Sequence, residues 1–351
     1  MKKTKNKMNK ELKKILVVRT DKIGDVVLSL PVVTALKQAF ENVSVTMLIN
    51  PLVKDIVEMC PDVDKILFDM EPGFGSLVSD LRREKFDAAL LLHPTLRLAA
   101  ALFFAGIPLR IGTGYRLYSF LFNKKVFEHR KTGNKHEAEL NLSLARALYP
   151  DINPDNILFN LNIDSEIIKD AAGKSENSGV NFSSPFIVIH PGSKGSALTW
   201  SEDNFRALVK ILSEKIGFQI LVTGVEEEKD MAEKICGKNR NVFNTAGLFT
   251  LKELAAVLKK SELVIANSTG PIHIAAALNT FVVGFYPPAR PMNAKRWGPY
   301  TKKRLLFVPE TGEICSSCSG PECPYWNCMD LIDVRDVAEK VMSVLNNKGM
   351  A

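Results

Sequence analysis

The 351 residues contain no run of about 18 consecutive apolar positions, the length a membrane-crossing helix requires. The nearest approach, residues 96–107, is too short and carries Arg97. The first residues lack the apolar stretch and small-residue cleavage site of a secretory signal, so the expected location is the cytoplasm. Isolated cysteines are few: Cys60 and Cys236 read as buried small apolar residues of a reducing compartment. At 46% apolar residues the chain is neither disordered nor collagen-like.

Net basic charge is nearly absent from the body of the chain. The net charge is +7, but residues 1–14 hold seven lysines against Glu11, leaving the other 337 residues at +1. A body that grips nucleic acid throughout is thereby excluded, and residues 1–13 are expected to be a flexible basic tail. Two nucleotide-binding signatures are missing too. The first strand is followed by one glycine, Gly24, where a dinucleotide fingerprint needs three, and no loop has the spacing of a P-loop.

Short apolar runs alternate with amphipathic stretches. Residues 14–20, 43–49, 63–69 and 87–93 read as strands, and 25–40, 52–60 and 76–85 as helices, with Pro31 kinking the first helix or starting a new turn. The polar segment 175–184 is the best linker. The pattern then restarts, with strands at 185–190, 219–224, 262–267 and 281–286. Strands without a polar face imply parallel sheets covered on both sides. The expected fold is α/β: two Rossmann-like, doubly wound domains facing a central cleft. They would span residues 14–175 and 185–332, and a terminal helix at 333–351 would pack back on the first. Ligands of such sheets lie beyond the carboxyl ends of the strands.

Three loops at such strand ends carry chemistry. Asp25, after Gly24, reads either as a helix N-cap or as a carboxylate available for general base work. The segment His190-Pro191-Gly192-Ser193-Lys194-Gly195-Ser196 offers free N–H groups, a hydroxyl and an ammonium to a phosphate, or is a plain connection. Ser268, Thr269 and Gly270 precede a helix with Pro271 in its first turn, again suiting an anion. His273, one turn further, reads as a packing residue or a participant in chemistry. Two anion-ready helix starts in one half suggest a ligand bearing a diphosphate. Glu226, Glu227 and Glu228 follow a strand; such a carboxylate would bond a ribose hydroxyl or simply open a helix.

Together the segments ILVVRTDKIGDVVLSLPVVTALK, HPGSKGSALTWSEDNFRALV, ILVTGVEEE and NSTGPIHIAAALNTFVVGFYPP resemble glycosyltransferase family 9, from about Lys14 to the C-terminus. The resemblance implies the GT-B architecture and inverting, metal-independent transfer of heptose from ADP-heptose, without a cofactor, to a lipopolysaccharide-core-like glycolipid. It makes Asp25 the general base. It assigns Ser193, Lys194, Thr269 and Gly270 to the donor and sets Ser268 facing the donor sugar; Glu226 and His273 join them as donor-binding candidates from their own positions. The basic residues Arg116, Lys124, Lys125 and Arg130 lie where such enzymes receive an acceptor, expected to be anionic and met at the inner membrane surface. Two positions depart from the family. Leu198-Thr199-Trp200 stands where a basic residue usually precedes the Trp, and Ser268 where Asp is common. These departures keep two alternatives open: a binding protein that has lost transfer, and a member using another nucleotide sugar.

Cys315, Cys318, Cys323 and Cys328 fall within 14 residues. Such a cluster permits a zinc or iron–sulfur site, but the spacing is not the paired CxxC ribbon. The resembled family often has cysteines here without a required metal, and none is expected.

Overall fold

The apolar runs become the strands of two sheets. The structure is a computed structural model that describes residues 12–70, 73–153, 156–193, 195, 197–311, 315 and 318–347. The chain divides into two units, Met1–Glu128 with Ala138–Asn160, and His129–Glu137 with Leu161–Ala351.

The first unit holds β1 (Lys14–Val18), β2 (Ser44–Ile49), β3 (Lys65–Phe68), β4 (Ala88–Leu91), β5 (Leu109–Thr113) and β6 (Lys124–Val126). They pair in parallel in the order β3-β2-β1-β4-β5-β6. Ile15, Leu16, Val17 and Val18 of β1 are fully buried, as a strand covered on both faces requires. One face packs Leu16, Val18, Leu48 and Leu91 against Leu77, Leu81, Leu98 and Leu102 from the helices Phe74–Glu84 and Leu96–Phe104. The Asp87 carboxylate accepts the backbone N–H groups of Lys13 and Lys14 at 2.9 Å, so Lys13 is anchored rather than part of a tail. Residues 1–11, the rest of the expected tail, lie outside the described residues.

The second unit holds β7 (Phe186–His190), β8 (Gln219–Val222), β9 (Val242–Asn244), β10 (Leu263–Asn267), β11 (Phe281–Phe285) and β12 (Arg304–Phe307), parallel in the order β12-β11-β10-β7-β8-β9. Its core stacks Trp200 on Phe285 at 4.3 Å, with Phe205 edge-on to both. Each sheet counts outward in both directions from a central strand that comes first in its own unit, β1 or β7. The strand order therefore reverses between β1 and β4 in one sheet and between β7 and β10 in the other, and such reversals open a ligand crevice at the carboxyl edge.

Two boundaries differ from the sequence expectation. The helix Ser165–Asn177 belongs to the second unit, where it packs on Leu251–Lys260 and Lys174 Nζ donates to Glu253 at 2.7 Å. The crossing therefore falls near residue 160, not within 175–184. The helix Val334–Asn347, expected to pack on the first domain, belongs to the second unit and buries Val337, Ala338, Val341 and Leu345 in that unit's own core, against the helix Glu202–Lys215. Among the described residues no helix is long and apolar enough to cross a membrane.

Candidate active site

The loops at the two reversal points carry the polar groups the sequence singles out. After β1 the chain turns through Arg19–Lys22 into the short helix Ile23–Val27. Lys22, not Asp25, occupies the N-cap, and Asp25 sits in the first turn. Ser29 and Pro31 then start a new helix, Leu30–Ala39, so the expected single helix is broken.

What holds Asp25 is Arg19. This guanidinium is 2% exposed. Its Nε donates to Asp21 Oδ1 at 2.6 Å, Nη1 to Asn141 Oδ1 at 3.3 Å, and Nη2 to Asp25 Oδ1. Asn141, itself buried, donates to the Leu28 carbonyl at 3.1 Å and to Ser29 Oγ at 3.3 Å. Ser29 Oγ donates to the Asp25 carbonyl at 2.8 Å. Across the reversal, His93 after β4 brings Nδ1 to 3.8 Å from Asp21 Oδ2. The result is a part-buried carboxylate at the sheet's ligand edge, fixed by a charge-assisted bond on one oxygen.

In the second unit the equivalent edge is braced by Asn267, the last residue of β10. Its Nδ2 donates to the Pro191 carbonyl at 2.8 Å and its Oδ1 accepts the Trp200 N–H at 2.9 Å, tying both ends of the loop after β7 to the neighbouring strand. Within this loop the Ser193 hydroxyl is buried with no hydrogen-bond partner. So is the hydroxyl of Thr269, the N-cap of the helix Gly270–Ala277, which makes no capping bond of its own. So is Nδ1 of His273, one turn into that helix. Burial first, and the nearby His136 ring second, pull the His273 imidazole down to about 3, so it is neutral. Buried polar atoms normally have partners; three without one, in the segments that follow the adjacent strands β7 and β10, mark a place built for a polar ligand. The N–H groups opening the helix Gly270–Ala277 and the sign of its dipole favour an anion there.

The acidic run after β8 resolves into separate roles. Glu226 is exposed and paired with Lys229 at 2.6 Å. Glu228 instead accepts the Val225 N–H at 2.9 Å and lies against two glycines: a Cβ on Gly192 would meet its carboxylate at 2.3 Å, and one on Gly224 at 2.8 Å. Glu228, rather than the expected Glu226, therefore borders the Ser193 loop. Ser268 lies beside the buried Tyr286 phenol, whose ionisation burial suppresses. Lys194, a donor-site expectation, lies outside the described residues.

The expected acceptor residues are not one group. Arg116 is exposed after β5, and Lys124 and Lys125 sit on the edge strand β6, paired in register with Ile111 and Gly112. Arg130 belongs to the second unit. There it and Arg296 both pair with the carboxylate of Glu137, which is 1% exposed, and so Arg130 serves a buried ion cluster rather than a solvent-facing acceptor surface. In the same segment His136 Nε2 contacts the Gly298 carbonyl at 2.7 Å.

With this geometry in hand, residues 74–326 match the profile of glycosyltransferase family 9 (heptosyltransferase). The chain belongs to glycosyltransferase family 9. Lipooligosaccharide heptosyltransferase 2 of Haemophilus ducreyi is 26% identical over 357 residues, covering 95% of this chain and 98% of that one. A Haemophilus influenzae protein named as a glycosyltransferase, with no sugar stated, is also 26% identical, covering 86% and 91%. The Escherichia coli ADP-heptose lps heptosyltransferase II structure superposes with a TM-score of 0.79 at 20% identity, over 96% of this chain and 99% of that chain. The two sheets are thus those of a GT-B glycosyltransferase.

In this family 9 chain the cysteine cluster is local. Burial and the neighbouring Cys318, Cys315 and Cys323 push the Cys328 thiol up. The N–H groups of Gly320 and Tyr325 donate to the sulfurs of Cys318 and Cys323, both at 3.4 Å. Among the described residues, no group of three or more His, Cys, Asp or Glu side chains is arranged to hold a metal ion.

Proposed function

We propose that this family 9 glycosyltransferase moves heptose from ADP-heptose, with inversion, onto a hydroxyl of a lipopolysaccharide-core-like glycolipid at the cytoplasmic face of the inner membrane, without metal or cofactor. The observation that carries the donor half is the set of unpartnered buried atoms: Ser193 Oγ, Thr269 Oγ1 and His273 Nδ1. A nucleoside diphosphate supplies acceptors for the two hydroxyls. The neutral imidazole of His273 offers a donor or an acceptor, according to tautomer, to the sugar or phosphate.

In this reading Asp25 accepts the proton of the acceptor hydroxyl as that oxygen attacks the anomeric carbon. The bond from the anomeric carbon to the β-phosphate oxygen breaks on the opposite face, and ADP leaves with the electron pair. Single displacement inverts the centre. The N–H groups at Gly270 and the dipole of its helix stabilise the charge growing on the departing phosphate. Arg19 aims Asp25 and counters its charge without touching substrate. Thermal stabilisation by ADP-, UDP- and GDP-sugars tests the donor: a rise confined to ADP-sugars supports the proposal, and a preference for UDP- or GDP-sugars overturns it.

A further inference from the structure

The carboxyl edge of the first sheet is tipped with exposed apolar side chains. The loop after β2 carries Leu52, 83% exposed; that after β3, Met70; that after β4, Leu96. The loop after β5 carries Leu117, fully exposed, and Phe120 at 74%; Phe127 follows β6 directly. Because all six strands are parallel, these tips lie on one edge. The sheet order puts the Asp25 loop, after β1, between the Leu52 loop on one side and the Leu96 loop on the other. In the second unit the exposed large apolar side chains among the described residues follow only two strands, Val225 after β8 and Val308, Tyr325, Trp326 and Leu331 after β12, instead of tipping nearly every loop of the edge.

The charges at this edge are sorted. Asp21 and Asp25 are bound by Arg19, and Asp69 by Arg97 at 2.8 Å. The outward-facing charges include Lys22, Lys54 and Arg116, with Lys54 paired to Glu58 at 3.3 Å. Apolar tips interspersed with basic groups complement a lipid headgroup layer, where side chains enter about 5–10 Å to the acyl boundary. A second copy or a rigid protein partner seated on these loops would cover Asp25; a bilayer that contains the acceptor brings it there.

We propose that this rim of loops docks the enzyme on an anionic bilayer, with Leu52, Leu117 and Phe120 inserted at the interface. The inference rests on the glycolipid-acceptor reading above, but its test needs no turnover. The full-length chain is sedimented with phosphatidylethanolamine vesicles containing phosphatidylglycerol, beside a Leu52→Ser/Leu117→Ser/Phe120→Ser variant. The variant should bind at least about tenfold more weakly. That ratio should persist at high salt, which screens the lysines of residues 1–14. Turnover on an acceptor sugar stripped of its acyl chains should stay the same in both proteins. Equal vesicle binding by the two proteins overturns the proposal. So does a wild-type oligomer that the variant dissociates, since the rim is then a protein interface. Vesicle binding without any transfer would sink the assigned reaction and leave the rim standing.

Discussion

Arg19 Nη2 donates to Asp25 Oδ1 across six positions of sequence, and the same guanidinium holds Asp21 and Asn141. One buried cation thus organises the loop that presents the candidate base. Arg19→Ala removes a buried partner from two carboxylates and should cost about 3 kcal/mol in urea unfolding. Arg19→Lys keeps the charge but not the planar fork. It should fold, lower kcat by more than it raises KM, and leave donor affinity unchanged. A normal kcat in Arg19→Lys would show that the fork does not aim Asp25.

Asn267 ties the loop after β7 to β10 through Pro191 and Trp200. Asn267→Ala leaves that N–H and that carbonyl without their side-chain partner in the interior, at about 1–3 kcal/mol each. Calorimetric titration should show ADP affinity reduced by about tenfold or more, with circular dichroism little changed. Undiminished affinity would separate the brace from the donor loop.

Glycine at 192 is set by the Glu228 carboxylate beside it. Gly192→Ala should lower the melting temperature, and adding Glu228→Ala should recover part of that loss, because the clash needs both side chains. Strict additivity in the double-mutant cycle would contradict the contact.

Two buried histidines give a pH dependence. Burial holds His190 at about 4, and burial with His136 holds His273 at about 3. Both lie below the unfolded value near 6.5. The unfolded chain therefore takes up protons that the folded chain refuses, and stability falls as pH drops from about 6.5 toward 4. The slope is at most about 1.4 kcal/mol per pH unit for each histidine. Denaturant midpoints measured from pH 7 to 4.5 should fall, and His273→Gln should flatten the fall. A flat profile in the parent chain would contradict the burial of both rings.

Most of the fold was legible because its central strands are unbroken apolar runs such as residues 15–18 and 187–189, which only a doubly covered parallel sheet accommodates. Two of the edge strands were not: β6 and β9 are three residues each, too short for a periodic signal. The helix Ser165–Asn177 hid behind the polar stretch that follows it, since its burial depends on distant partners, above all Glu253. In the site, Asp25, Ser193 and Thr269 stood out as polar residues in small-residue loops, and His273 as a polar residue in an apolar helix. Arg19 and Asn267 did not, although both flank those loops, because their work is contact with residues 122 and 76 positions away. Choosing Glu228 over Glu226 was equally beyond sequence, as only the folded turn sets which of the two carboxylates lies against Gly192.

The central claim is transfer with Asp25 as base. The measurement is ADP release from ADP-heptose with acceptor in single turnover, wild type against Asp25→Asn, with donor affinity measured on both. The expected result is ADP release by the wild type, a fall of about 10²–10⁴-fold in the variant, and donor affinities within about twofold, since Asp25 belongs to the first unit and Ser193, Thr269 and His273 to the second. Release by Asp25→Asn at the wild-type rate, or none by the wild type, would contradict the account.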